Sequence, residues 1–299
     1  MNIFNNLGPG YRLNPLDDYL FYRVMGEKGD ELQLLGFLNA VLGSSGKEQI
    51  ESLEIMENKS FPREIIDGKS CVLDVLAVLH DGTKVNIEVQ VGNQHNMDRR
   101  SLFHWSKVYS RSLKKGQDYR RLPDVIAVNI VDFNFPPGSG FHSCFRLRED
   151  NDPSLKLTSA LEIHFLNMVE WRKLQGKDVH NDPLHRWLVR FDKSSPPELV
   201  EEVAGMDSGI MAANEKLNLV MLDEDAQRIY LNRELAIADE IGRINYARDE
   251  GRAEGKEHGL AEGREQSAIE IARNLKKIGI PIDQIAAGTG LAEQQIKEL

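Results

Sequence analysis

Two short apolar runs, Cys71 to Leu79 and Lys84 to Val91, are separated only by His80-Asp81-Gly82-Thr83, and this spacing predicts a β-hairpin. The first run carries one acid, Asp74, among Val72, Leu73, Val75, Leu76, Ala77 and Val78. A carboxylate in such a run has a desolvation cost that a metal ion or a hydrogen-bond network can offset. The second run alternates, with Val85, Ile87, Val89 and Val91 on one face and Asn86, Glu88 and Gln90 on the other. A two-residue turn at Asp81-Gly82 pairs Val75 with Glu88 and puts Asp74 on the far side. A three-residue loop, His80-Asp81-Gly82, with Gly82 left-handed and closing a bulge, pairs Leu79 with Thr83 and sets Asp74 opposite Glu88. We expect the bulged turn, and with it an acidic cluster suited to metal-dependent chemistry.

The next segment opposes the charge of the whole chain. Against 37 Lys and Arg there are 47 Asp and Glu, yet Arg99 to Arg121 holds eight basic residues and a single acid, Asp118. Helical periodicity places Arg100, His104, Lys107, Arg111, Lys114 and Lys115 in one stripe and Leu102, Trp105, Tyr109 and Leu113 opposite, with Gly116 as the stop. The apolar face is expected on the sheet and the basic face outward. Lysine and arginine beside acidic metal ligands suit a phosphodiester substrate, whose charge the carboxylates would otherwise repel. On this reading Arg100, Lys107, Arg111 and Lys114 are the nucleic-acid-binding candidates.

Four segments in this order carry a family resemblance. They are Asn14-Pro15-Leu16-Asp17-Asp18-Tyr19-Leu20-Phe21, Asp74 with Glu88-Val89-Gln90, the Arg100 to Tyr109 helix, and its Gly-Gln-Asp-Tyr continuation at Gly116 to Tyr119. Over residues 12 to about 170 the chain resembles the recombination-promoting nuclease (Rpn) or transposase family of the PD-(D/E)xK nuclease superfamily. The resemblance implies that Asp74, Glu88 and the main-chain carbonyl of Val89 are metal ligands. Gln90 takes the position of the superfamily lysine, and Asp18 matches an acid of the N-terminal helix that borders the site.

The chain departs from the superfamily pattern in three places. Leu73 stands where a proline precedes the first acid, Tyr22 where relatives often have lysine, and Gln90 is a neutral amide. A lysine orients the attacking water and also stabilises developing negative charge, whereas glutamine does only the first. The charge is then left to the metal or to a nearby base such as Arg100. Magnesium suits a set of carboxylate, carbonyl and water oxygens, with manganese as a substitute. The expected reaction is hydrolysis of a DNA phosphodiester by metal-activated water. Each residue has a plainer reading when taken alone: Asp74 as an acid paired with Arg63 or Lys69, Glu88 and Gln90 as the wet face of an edge strand, and Asp17 and Asp18 as first-turn acids after an Asn14 N-cap and Pro15.

Further along, Val125 to Val131 is a buried-strand run bounded by Pro123 and by Pro136-Pro137, and Leu161 to Leu166 reads as another strand. The order of helix, hairpin, helix and strand gives an α/β or α+β class: a restriction-endonuclease-like core with a mixed sheet flanked by helices, plus a helical C-terminal region. The expected divisions are a nuclease-like domain over 1–190, a linker at Ser194 to Pro197, a helical region over 191–248, a glycine repeat over 249–266 and a helix-turn-helix-like segment over 267–299. Gly251, Gly255, Gly259 and Gly263 each cost an isolated helix about 1 kcal/mol, yet they line one side where another helix can approach. A flexible tether and a self-associating helix both remain open. The last segment pairs two acids with one lysine in Glu293 to Glu298, so oligomerisation or partner docking is expected ahead of DNA reading.

Cys71 and Cys144 lack metal-like spacing and any obvious disulfide logic, which favours a reducing, cytoplasmic setting. No signal peptide or long apolar span occurs, so membrane roles are set aside. The expectation is a magnesium-dependent DNA endonuclease acting in recombination. The alternative is a non-catalytic member of the same fold that binds DNA or protein through its tail.

Overall fold

The computed structural model describes residues 12–56, 65–66, 69–70, 75–92 and 95–299. Helix α1 (Asp18–Met25) is capped by Asp17, whose carboxylate accepts the Leu20 amide at 3.0 Å. The expected cap, Asn14, instead opens a turn that the Asp17 amide closes on the Asn14 carbonyl at 3.0 Å. Pro15 therefore fills the second position of a β-turn, where its fixed φ is equally at home, and the helix begins three residues later. Helix α2 (Glu31–Gly43) follows.

The strands are β1 (Leu53–Ile55), β2 (Ile65–Ile66), β3 (Lys69–Ser70), β4 (Val75–Leu79) and β5 (Lys84–Gln90), then β6 (Val125–Val131), β7 (His142–Arg146) and β8 (Leu161–Asn167). Six of them form one mixed sheet in the order β1-β4-β5-β6-β8-β7, while β2 and β3 pair separately. β5, β6 and β8 run parallel, and β1, β4 and β7 are antiparallel to their neighbours. The β4–β5 hairpin takes the bulged form. Val75 lies opposite Ile87, the Leu79 amide donates to the Thr83 carbonyl at 2.8 Å, and Gly82 has φ of 86°. Asp74, together with Cys71 to Leu73, lies outside the described residues.

Alternation along β5 and β6 builds two faces. Val85, Ile87, Val89, Ile126, Val128 and Ile130 join the main core with Leu34, Phe37 and Leu38 of α2. The other face is covered by helix α3 (Met97–Arg111), although not by the residues that periodicity selects. Met97, Ser101, His104 and Val108 are its buried positions, while Leu102 is 49% exposed. Trp105 and Tyr109 do pack, against Leu76 and Val125, and the Trp105 indole donates to the Val125 carbonyl at 2.9 Å. The helix turns its polar edge inward because the sheet offers Asn86 and Glu88 there, and buried polar groups demand partners. It also ends at Arg111, so Lys114, Lys115 and the Gly116 turn lie beyond it.

Helices α4 (Met168–Lys173), α5 (Pro183–Phe191), α6 (Pro197–Met206) and α7 (Ser208–Val220) complete the first compact unit, which ends at Tyr230. Asp182 and Asp207 cap α5 and α7 by accepting their first amides. Trp187, Phe191, Val203, Ile210 and Ala213 belong to the same core as the sheet, so the unit runs past the boundary expected at 190. Ser194 to Pro197 is not an open linker. Ser195 is buried, and its carbonyl accepts from Arg12.

Helix α8 (Glu224–Lys277) spans 54 residues and absorbs the glycine repeat in helical form. The second unit, Leu231 to Leu299, adds α9 (Ile282–Thr289) and α10 (Glu293–Glu298). Its small core is Ala272, Ile285 and Ile296. Among the described residues, no helix is long and apolar enough to cross a membrane.

Candidate functional site

Glu88 sits on β5, flanked by β4 and β6, and its side chain is 3% exposed on the face covered by α3. Its neighbours come from one turn of that helix. His104 Nδ1 lies 2.7 Å from Glu88 Oε1, and the Arg100 guanidinium lies 3.8 Å from Oε2. The spacing of four residues between Arg100 and His104 stacks them on one side of the helix, which is why both reach a single carboxylate. Asn86, two residues earlier on the same strand face, donates to Oε1 at 3.3 Å. A buried carboxylate is tolerated only with partners of this kind, and removing one is far more costly than never having built the pair.

The other expected residues take distinct places. The Val89 side chain enters the apolar core, so any ligand from this residue would be its main-chain carbonyl. Gln90 is half-buried at the end of β5, and its amide donates to the Gly92 carbonyl at 3.0 Å. Asp18 opens α1, which packs against β5, and its carboxylate accepts the Tyr19 amide at 2.9 Å. Lys107 lies over the Phe103 ring at 4.9 Å, Arg111 ends α3, and Lys114 is exposed in the turn that follows. The structure thus brings Glu88, Arg100 and His104 together and leaves the remaining bases spread along α3 and the turn beyond it. Sequence reading placed His104 in an outward stripe. The signal for its pairing with Glu88 was its spacing of four from Arg100.

The donor chemistry suits a hard cation. A carboxylate, a main-chain carbonyl and a side-chain amide offer oxygen alone. Arg100 stands too far from Glu88 Oε2 for a hydrogen bond, so that oxygen retains a lone pair for a metal.

A family model described as PD-(D/E)XK nuclease family transposase matches residues 15–247. The chain belongs to this family. Membership in the PD-(D/E)XK nuclease family covers the mixed sheet, α3 and Glu88 together, as well as α5, α6, α7 and the start of α8. No curated protein and no solved structure matches the chain. The nuclease-family fold is a mixed sheet flanked by helices, in agreement with the class expected from the sequence. Within that fold, a carboxylate on the second strand of the hairpin, backed by a helix carrying basic residues, is an arrangement able to bind a cation next to a phosphate.

Proposed function

We propose that this protein is a metal-dependent DNA endonuclease that acts in DNA recombination. The observation that carries the reading is the buried Glu88 carboxylate, held by His104 and faced by Arg100, in a chain of the PD-(D/E)XK nuclease family. In this reading the carboxylates of Asp74 and Glu88 and the main-chain carbonyl of Val89 hold magnesium. When bound, the metal supplies Lewis acidity toward the phosphate and a water of lowered pKa.

The chain's own residues divide the remaining work. Gln90 accepts from and orients the attacking water through its amide. Arg100 neutralises charge on the scissile phosphate, taking over what a lysine does in other members of the superfamily. Lys107, Arg111 and Lys114 bind flanking phosphates along the backbone and set position without reading sequence. Asp18 borders the site from α1. His104 is a positioning residue that holds the Glu88 carboxylate in one rotamer. Assembly of copies through the C-terminal helices fits the exposed Ile237, Ile241 and Ile244, which recur at helical spacing on α8.

Supercoiled plasmid incubated with the purified protein and magnesium, manganese or EDTA tests the reading. Cleavage with either metal is expected, with none in EDTA and none by folded Asp74→Ala or Glu88→Gln. Folded wild-type protein that leaves plasmid, linear and single-stranded DNA intact with both metals overturns the enzyme and leaves the binding member of the fold. Cleavage that persists in Glu88→Gln removes Glu88 from the site.

A further inference from the structure

The opposite face of the same sheet carries a second cluster of metal-ligating side chains. Register alone assembles it. Cys144 on the edge strand β7 lies directly across from His164 on β8, and Glu162 precedes His164 by two residues, so all three share a face. β8 pairs His164 with Val128, a core residue, whereas Phe165 pairs with Asn129, which itself lies beside Glu88. The cluster is therefore separated from Glu88 by the thickness of the sheet. His164 is fully buried and Glu162 is 4% exposed.

The directions of the hydrogen bonds aim the Nε2 of His164 at the centre of the cluster. Ser44 Oγ lies 2.7 Å from the Val41 carbonyl, which can only accept, so the single hydroxyl proton points there. His142 Nδ1, at 3.1 Å from Ser44 Oγ, must then be the donor, and its Nε2 the acceptor. That Nε2 lies 2.9 Å from His164 Nδ1, which therefore carries the proton. A neutral His164 is left with the lone pair of Nε2 aimed at Glu162 Oε1 at 2.8 Å and at Cys144 Sγ at 3.7 Å. Two lone pairs at hydrogen-bond distance repel unless a proton or a metal ion lies between them. Glu162 Oε2 is already taken by Arg146 at 3.0 Å and Lys47 at 3.2 Å, so neither of these contacts occupies the central position.

We propose that Cys144, Glu162 and His164 form a zinc-class metal site that ties the edge strand β7 to β8. The mixture of thiolate, imidazole and carboxylate selects a borderline-soft ion, in contrast to the all-oxygen set around Glu88. Zn–S of about 2.3 Å and Zn–N of about 2.0 Å put sulfur and nitrogen about 3.5 Å apart across a tetrahedral edge, close to the 3.7 Å between Cys144 and His164, while Glu162 Oε1, 2.8 Å from His164, moves out by about 0.5 Å to complete the set. The three ligand atoms all lie within 4.8 Å of one another. Cys144 and His142 are only partly buried, which gives the ion an entry path and a solvent water as fourth ligand. Binding releases the thiol proton of Cys144, and any proton shared by His164 and Glu162, to solvent. His142 is a positioning residue that fixes the His164 tautomer, the outer-shell role such partners have at zinc sites.

The test is cobalt(II) titration of the full-length, EDTA-stripped protein, followed by absorbance. A saturable thiolate-to-cobalt charge-transfer band with tetrahedral d–d bands is expected at one ion per chain, and zinc displaces it. The band is lost in Cys144→Ser, which should fold because the position is partly exposed, as checked by circular dichroism, and it persists in Cys71→Ser. His142→Ala weakens binding on the order of tenfold without removing the band. Folded wild-type protein without the band, or a band that survives Cys144→Ser, overturns the proposal. Both readouts are independent of nuclease activity.

Discussion

Replacing Arg190 by methionine should make the protein more stable. Arg190 lies on α5 and is 5% exposed among Leu20, Phe21, Val24, Met25, Ala213 and Leu217. Its Nε has no hydrogen-bond partner among the described residues. Burial pushes the pKa of this guanidinium down from its usual value to about 10. At about 1.4 kcal/mol per pH unit, that drop corresponds to about 3 kcal/mol of preference for the charged group in the unfolded chain. The sign follows from proton binding. The unfolded state holds the proton more tightly, so the penalty is fully present below about pH 10 and fades only as the pH rises above that value. Methionine keeps an unbranched apolar stem in the same space and carries no charge, so a net gain of about 1–3 kcal/mol is expected at pH 7, less whatever packing the shorter chain gives up. Urea unfolding followed by tryptophan fluorescence reports on this region, because Trp105, Trp171 and Trp187 all fall within the first compact unit. The midpoint should rise with the slope unchanged. A lower midpoint at the same slope would refute the reasoning, since it would mean that the guanidinium stabilises the fold it is buried in.

Three other outcomes can be checked on the same protein. Gly82→Ala places a Cβ at φ of 86° without any steric clash, so it should cost about 1 kcal/mol from backbone conformation alone, and an unchanged urea midpoint would contradict the bulged turn. His104→Ala strips Glu88 of its nearest partner and should destabilise by about 3 kcal/mol, whereas Glu88→Gln with His104→Ala should cost less than the sum of the two changes; additivity in that double-mutant cycle would deny the contact. Changing Arg111 and Lys114 together to glutamine should reduce the slope of log binding constant against log salt for duplex DNA by about 2, measured by fluorescence anisotropy with calcium in place of magnesium, and an unchanged slope would take the end of α3 out of the DNA interface.

What was legible beforehand followed from short-range rules. The β4–β5 loop has its form because Gly82 is the residue able to adopt positive φ at the third loop position, and once the turn is set the pairing of Val75 with Ile87 follows. Val125 to Val131 is recognisable as a central strand because all seven residues are buried, as both faces of such a strand require. The cap of α1 is Asp17, one turn after the expected Asn14, since Pro15 serves a β-turn and a first helical position equally well. Strand β7, His-Ser-Cys-Phe-Arg, has no apolar periodicity to announce it; it forms because β8 offers an open edge. The glycine repeat admitted both a tether and a helix, and in the structure it is part of α8.

The sequence by itself determined the helix-hairpin-helix-strand order, the placement of Glu88 on the polar face of β5 and the family to which the chain belongs. These depend on side-chain period, turn residues and spacing, all of which act over a few positions. Tertiary structure decided which side of α3 meets the sheet, because that choice depends on what the sheet presents: Glu88 and Asn86 draw His104 and Arg100 inward, at the expense of Leu102. Tertiary structure also extended the first unit to Tyr230 and brought Cys144 beside Glu162 and His164. Residues about twenty apart meet there only because β7 and β8 pair antiparallel, and no local propensity encodes a partner at that distance.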